Sequence, residues 1–219
     1  MSGLFIAGTD TGVGKTRVAK ALIMRGVAAG KRVAAMKPIS AGCVQTSEGW
    51  LNDDVAQLRA VSNVALPIRL MNPYAFELPI APHIAAQEAG IEINLDRIEF
   101  AYREIASQAD EVIVEGAGGL LVPINAQQTT ADIVLRLNLP VILVVGMRLG
   151  CLNHALLTVE AMQQRGIKIE AWVANQLDPA MLAFEQNLAS LKARITAPLL
   201  CVLPTMRTPK NTMLTKWFI

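Results

Sequence analysis

The stretch Gly8-Thr-Asp-Thr-Gly-Val-Gly-Lys-Thr16 limits the architecture more than any other part of this chain. It joins the apolar run Leu4–Ala7 to a helical pattern that begins near Arg17, and a glycine-rich loop ending in Gly-Lys-Thr between a strand and a helix is the setting for phosphate binding. Glycines let successive backbone N–H groups converge on an anion, and the helix start adds partial positive charge. Lys15 can then reach terminal phosphates while Thr16 offers a hydroxyl to Mg²⁺. Five residues separate Gly8 from Gly14 where the strict pattern has four, so the loop is a variant. A plain strand-to-helix turn is the competing reading.

The chain of 219 residues is expected to form a single domain, residues 1–219, large enough to bury roughly 70% of its unfolded surface. Its 53% hydrophobic and 17% charged composition suits a sheet covered on both faces. A formal charge of +2, spread along the chain, provides no stripe for nucleic acid and no polybasic membrane anchor, so small-molecule partners are expected. Cys43, Cys151 and Cys201 are odd in number and lack CxxC spacing, which argues against a disulfide scaffold and a zinc site. With no secretory pattern at the N-terminus and no apolar run of spanning length, the expectation is a cytoplasmic protein.

Six apolar segments read as strands: Leu4–Ala7, Val33–Met36, Val112–Val114, Val141–Val145, Ile169–Ala174 and Leu199–Leu203. Helices are expected over Arg17–Ala29, Asp54–Ser62, Leu95–Ala109, Thr130–Leu137, Leu152–Arg165 and Pro179–Ala193. This alternation implies right-handed crossovers and an α/β fold with a mostly parallel central sheet flanked by helices, and together with the loop at Gly8–Thr16 the expectation is a three-layer, P-loop NTPase-like fold. The proline-bearing stretch Pro67–Ala89 reads as a long irregular connection, and residues 207–219 show weak patterning.

Ligands on such sheets bind beyond the carboxyl ends of the strands. Lys37-Pro38 follows the second strand and can neutralise charge on a transferring phosphoryl group, although a solvated lysine is the ordinary outcome there. Glu115 follows Glu111-Val-Ile-Val114 and precedes Gly116-Ala-Gly-Gly119, so a hard carboxylate suited to Mg²⁺ stands beside backbone free to approach a ligand, an exposed glutamate before a turn being the competing reading. For Asn52-Asp-Asp54, helix capping and metal binding are both open. Gly150-Cys-Leu-Asn-His154 opens a helix whose free N–H groups suit an anion such as a carboxylate, although an ordinary capped helix is the plainer reading. Asn175-Gln176 offers amides matching the edge of a purine. His83 and His154 lack a nucleophile or acidic partner nearby and are assigned local hydrogen bonding or capping.

Taken together, the loop at Gly8–Thr16, Lys37-Pro38, Asn72-Pro-Tyr74, Pro82-His83, Val114-Glu-Gly-Ala-Gly-Gly119, Pro140–Gly146, Leu149–Ala155 and Trp172-Val-Ala-Asn175 resemble the dethiobiotin synthetase family of the biotin pathway, in order along nearly the whole chain. The resemblance implies that 7,8-diaminononanoate, CO₂ and ATP react with Mg²⁺ through a carbamate and a carbamic-phosphoric anhydride, followed by ureido ring closure. It gives catalytic roles to Lys37, Lys15 and Thr11, and metal binding to Thr16, Asp54 and Glu115. ATP would lie along Gly12, Val13, Gly14, Lys15, Thr16 and Arg17, with Asp54, Glu115, Gly116, Ala117 and Gly118 beside it. Asn175, Gln176, Pro204, Thr205 and Met206 would surround the base. Ser40, Ala41, Gly150, Cys151 and Asn153 would meet the substrate, the last three from a neighbouring subunit of a homodimer. Four features depart from the family pattern, among them Gln176 and the short end Lys216-Trp-Phe-Ile219, which are less typical of it. Ala41 stands where many members carry a hydroxyl, and Gly12 stands where some carry glutamate.

The alternative is a partition-type P-loop ATPase switch with the same element order. Its loop carries a signature lysine five residues before the Walker lysine, where this chain has Asp10.

Overall fold

The computed structural model describes residues 2–205, so Met206 and the segment 207–219 lie outside the described residues. Chain order is β1 (Ser2–Gly8), α1 (Lys15–Ala28), β2 (Val33–Met36), β3 (Ile39–Ser40), β4 (Val44–Thr46), β5 (Gly49–Leu51), α2 (Asp53–Val61), α3 (Ile68–Met71), β6 (Tyr74–Ala75), α4 (Pro82–Glu88), α5 (Leu95–Ala106), β7 (Glu111–Glu115), α6 (Thr130–Leu137), β8 (Val141–Met147), α7 (Cys151–Gln164), β9 (Ile169–Gln176), α8 (Phe184–Arg194) and β10 (Leu199–Leu203). All six expected strands form one parallel sheet in the order β10-β9-β8-β1-β7-β2.

The sheet is apolar because both its faces are covered. Every residue of β8 is buried, and so is every residue of β2. Each fully buried Val, Leu or Ile contributes about 1.5–3 kcal/mol relative to exposure, which is why these continuous runs fix the centre of the molecule. The core they build is continuous with α1, α5, α6 and α7 through residues such as Val18, Ile98, Ile133 and Met162. The chain leaves β1 for β2 across the position of β7, then returns from β7 to β8 across β1. The strand order thus reverses beside β1, and the crevice opens above the loop that follows it.

Three differences from the sequence reading matter for the site. The stretch Pro67–Ala89 is not irregular throughout: it carries α3, β6 and α4, the last with Pro82 at its start, where a missing N–H costs nothing. The short pairs β3–β6 and β4–β5 were absent from the sequence reading because two- and three-residue strands carry no readable period. The last helix begins at Phe184, five residues after Pro179, and Ala183 before it has a φ of 53°.

Candidate active site

Strand register assembles the site. Met36 pairs with Val114 and Ile6 with Glu115, so the next residue after β2, Lys37, emerges beside Glu115 and next to the loop after β1. In that loop Gly12 and Gly14 have φ values of 72° and 95°, a region that disfavours a side chain. Gly14 is closed to one for a second reason, because a Cβ there would collide with Asn175 Nδ2. Lys15 Nζ donates to Asp10 O at 2.9 Å and to Gly118 O at 2.7 Å, folding its ammonium across the loop and onto the turn after β7. Burial, and secondarily the charge of Lys37, pull the Lys15 pKa down to about 8.

Four polar side chains converge beneath the loop. Thr16 Oγ1 lies 2.8 Å from Asp54 Oδ1 and 3.0 Å from Glu115 Oε1. Lys37 Nζ donates to Asp54 Oδ2 at 2.7 Å and to Glu115 Oε1 at 2.6 Å. Desolvation is the largest influence on Lys37 and lowers its pKa, but the combined attraction and hydrogen bonds of Glu115 and Asp54 prevail and hold it raised. Burial likewise pushes the Asp54 carboxyl up, yet Lys37 and the Thr16 hydroxyl outweigh it and keep it below the usual range. The capping question is settled by Asn52, whose Oδ1 accepts from Asp54 N at 3.0 Å. Asp54 is therefore a first-turn residue of α2 with its carboxylate free for the site.

The donor set fits a magnesium ion. Glu115 is 1% exposed and its Oε2 is buried without a hydrogen-bond partner among the described residues, a costly state that a cation would relieve. Two carboxylates and a hydroxyl are hard oxygen ligands of the number Mg²⁺ takes from protein when substrate phosphates and water supply the rest. Among the described residues there is no group of three or more His, Cys, Asp or Glu side chains able to hold a metal.

Beside this cluster lies a cavity of about 500 Å³ lined by Thr11, Lys37, Ile39, Ser40, Ala41, Asp54, Pro79, Ile80, Pro82, Ala117, Gly118 and Val122. It is charged at its floor and apolar along its wall. Thr11 is exposed at the rim near Gly118, where an added Cβ would stand 3.5 Å from Thr11 Oγ1. Gly116 packs so closely on Phe5 that a Cβ would come within 2.8 Å of the ring.

At the far end of the loop the residues expected around the base are bound to one another. Asn175 Nδ2 donates to Val13 O at 2.8 Å, and Asn175 Oδ1 accepts from Arg17 Nη1 at 3.0 Å. Arg17 Nη1 also donates to Pro204 O at 2.8 Å, and Thr205 Oγ1 donates to Gln176 O at 3.2 Å. Half of the Asn175 amide's hydrogen-bonding capacity thus serves to brace the phosphate loop against β9 and β10, leaving one hydrogen and one lone pair for a base.

Gly150 and Asn153 are exposed at the start of α7, whereas Cys151 is 2% exposed and its N–H already donates to Arg148 O at 3.0 Å, so neither its side chain nor its backbone donor is offered to a ligand. Gly150 has a φ of 92° and α7 has no side-chain cap. Neither histidine caps a helix: Ala81 precedes α4 and Gly150 precedes α7 as the capping residues, and His83 Nδ1 is buried without a hydrogen-bond partner among the described residues. A second groove, of about 400 Å³, runs from Thr9 and Asp10 to Leu121, His154 and Leu157. Asn52 and Asn72 stand in the sequence only within motifs, without roles of their own. Their signals were an asparagine directly before a helix and one directly before a proline.

A parallel sheet with a glycine loop after its central strand, and with lysine and carboxylate at adjacent strand ends, defines a protein of the P-loop NTPase-like class. Solved structures agree on the fold: the MinC:MinD cell division complex of Aquifex aeolicus matches at TM-score 0.58 and 15% identity over 99% of this chain and 86% of that one. The signal recognition particle receptor FtsY of Elizabethkingia anophelis matches at TM-score 0.54 and 16% identity, over 100% of this chain and 62% of its own. A family profile described as an AAA domain matches residues 2–212. ATP-dependent dethiobiotin synthetases of Aromatoleum aromaticum and Nitrosospira multiformis are each 52% identical, over 91% and 92% of this chain and 89% and 88% of their own. The chain belongs to the ATP-dependent dethiobiotin synthetase family. Among the described residues no helix is long and apolar enough to cross a membrane.

Proposed function

We propose that the cluster at Lys37, Asp54 and Glu115 carries out phosphoryl transfer from ATP onto a carbamate held in the adjoining cavity, within one catalytic domain. As a family member the chain is an ATP-dependent ligase-type enzyme of biotin biosynthesis that carboxylates and closes the ring of 7,8-diaminononanoate. The observation that carries the site reading is the buried Lys37 side chain, its ammonium lying between two carboxylates at the floor of a cavity with an apolar wall. Such a wall suits an alkyl chain, and the polar floor suits the amines at one end of it.

In this reading one substrate amine forms a C–N bond to CO₂ and loses a proton, giving the carbamate. A carbamate oxygen then attacks the γ-phosphorus as the bond to ADP breaks. Attack by the second amine on the activated carbon closes the ring and expels phosphate. Lys15 and the loop amides hold the phosphates, and Thr11 donates at the cavity rim. Lys37 neutralises charge shared between the carbamate and the transferring group, so the site supplies position and charge more than a strong base. Thr16, Asp54 and Glu115 would hold Mg²⁺, which when bound neutralises charge on the β- and γ-phosphates.

The reading extends to a cytoplasmic homodimer. Leu149, Leu157 and Leu121 are 97%, 58% and 46% exposed around the open start of α7, an apolar rim that a second copy would cover. Purified protein is expected to release phosphate from ATP only when the diamine and bicarbonate are both present, and robust turnover without the diamine would overturn the reading. A monomer in sedimentation velocity at micromolar concentration would remove the second-subunit contribution.

A further inference from the structure

The Asn72-Pro73-Tyr74 motif enters no step above, yet its asparagine is 4% exposed and sits behind Lys37. Asn72 Nδ2 donates to Lys37 O at 2.7 Å and to Tyr74 O at 3.1 Å. Two carbonyls on one end of the amide identify that end as nitrogen, because an oxygen there would face two acceptors. Asn72 Oδ1 is thereby turned to Ser40, whose Oγ donates to it at 2.7 Å. The backbone is joined along the same line: Lys37 N donates to Met71 O at 2.8 Å and Tyr74 N to Pro38 O at 3.1 Å, while Ile39 and Ser40 pair with Tyr74 and Ala75. Both backbone polar groups of Lys37 are held by residues 71 and 72.

We propose that Asn72 is a positioning residue for this site. It fixes the backbone from which Lys37 reaches the carboxylates, and it takes the Ser40 proton so that the Ser40 oxygen serves the cavity as a hydrogen-bond acceptor. An amide oxygen only accepts, so the Ser40 hydrogen is committed to Asn72, and in the 3.2 Å contact with Cys43 the thiol is the donor. One lone pair on Ser40 Oγ remains. Ser40 lines the same cavity as Lys37, and an acceptor there matches an N–H of a substrate amine or carbamate. The Ser40 half rests on reading the cavity as the diamine pocket; the Lys37 half does not.

The test compares wild type, Asn72→Ala and Ser40→Ala in the full chain. Reductive methylation of lysines without substrate, read by mass spectrometry, is expected to modify Lys37 about ten-fold faster in Asn72→Ala, with Lys15 unchanged. Turnover of Asn72→Ala should fall on the order of 100-fold while affinity for a fluorescent ATP analogue stays within about two-fold. Ser40→Ala should raise the diamine KM about ten-fold and leave the ATP KM alone. Unchanged Lys37 modification in Asn72→Ala overturns the positioning role, whatever the melting temperature does. An unchanged diamine KM in Ser40→Ala overturns the acceptor role. A wild-type enzyme indifferent to the diamine overturns the pocket reading and with it the Ser40 half, and the Lys37 labelling still decides the other. If Asn72→Ala does not fold, Asn72→Asp keeps the size and the acceptor but removes both donors, and the same labelling comparison applies.

Discussion

Lys37 and Glu115 stand at the ends of neighbouring parallel strands with Nζ and Oε1 2.6 Å apart, a pairing imposed by the register that sets Met36 against Val114. Both side chains are almost fully removed from water, at 7% and 1% exposure. Taking two charges out of water is expensive, and their attraction offsets this only while both are present. The pair therefore holds a cation in place at a point where phosphate charge would arrive, at a standing cost that makes either residue sensitive to substitution.

Removing the cation separates its catalytic and structural effects. Lys37→Ala is expected to lower diamine-dependent phosphate release by roughly 10²–10³-fold, the loss typical of one preorganised transition-state donor. Affinity for a fluorescent ATP analogue should persist, because the loop and Lys15 are untouched. In chelator, urea unfolding should show a loss of about 3 kcal/mol, since Glu115 is left buried and unpaired. Equal turnover would take Lys37 out of the chemistry.

The carboxylates should differ in their weight on the metal. Glu115→Gln keeps the shape and removes a charge from the buried end of the cluster, so the Mg²⁺ concentration for half-maximal activity should rise at least about ten-fold. Asp54→Asn should have a smaller effect, because its side chain is 37% exposed and water can stand in for the lost oxygen. A Mg²⁺ titration of Glu115→Gln that superimposes on wild type would confine Glu115 to a structural role.

Much of this site was legible in the sequence where a residue's place follows from a long element. The apolar run expected as the strand Val141–Val145 lies wholly buried within β8, and Lys37 and Glu115 sit at strand ends because one directly follows β2 and the other ends β7. Asp54 was ambiguous from spacing because its neighbour Asn52, not Asp54 itself, caps the helix. Asn72 was quoted only as part of a motif: its partners Lys37 and Ser40 are 35 and 32 residues away, brought close by the two-residue pair β3–β6. The amide of Asn175 suggested base recognition, and only the fold shows that Arg17 and Val13 already use part of it.

Cys201 gives a pH test at the end of the sheet. Burial pushes its thiol up to about 11 from an ordinary 9.0, with Arg17 pulling weakly the other way. A raised thiol pKa leaves less thiolate at a given pH, so at pH 8 its alkylation should run roughly 100-fold slower than that of a free thiol, the ratio expected for a two-unit shift. The unfolded chain ionises first as pH rises past 9, so this group's contribution to stability is intact below 9 and is lost on approaching 11. Mass spectrometry of iodoacetamide-treated protein across pH 7–10 checks the first point, and Cys201 modification as fast as a model peptide's would contradict it.

Gly12 and Gly14 make a paired test of the loop. Both have positive φ, so an alanine at either costs about 1–2 kcal/mol in backbone strain. At Gly12 the added methyl meets nothing within 4 Å, so Gly12→Ala should bind an ATP analogue nearly as wild type does once its modest loss of stability is allowed for. At Gly14 the methyl strikes Asn175 Nδ2, which is hydrogen-bonded to Val13 O and is backed by Arg17. Relief requires moving the brace that shapes the phosphate loop, so Gly14→Ala should lose on the order of 100-fold in nucleotide affinity as well as stability. If fluorescence titration gave equal affinities for the two variants, the Asn175 brace would not set the loop's shape, and the two glycines would be there for backbone conformation alone.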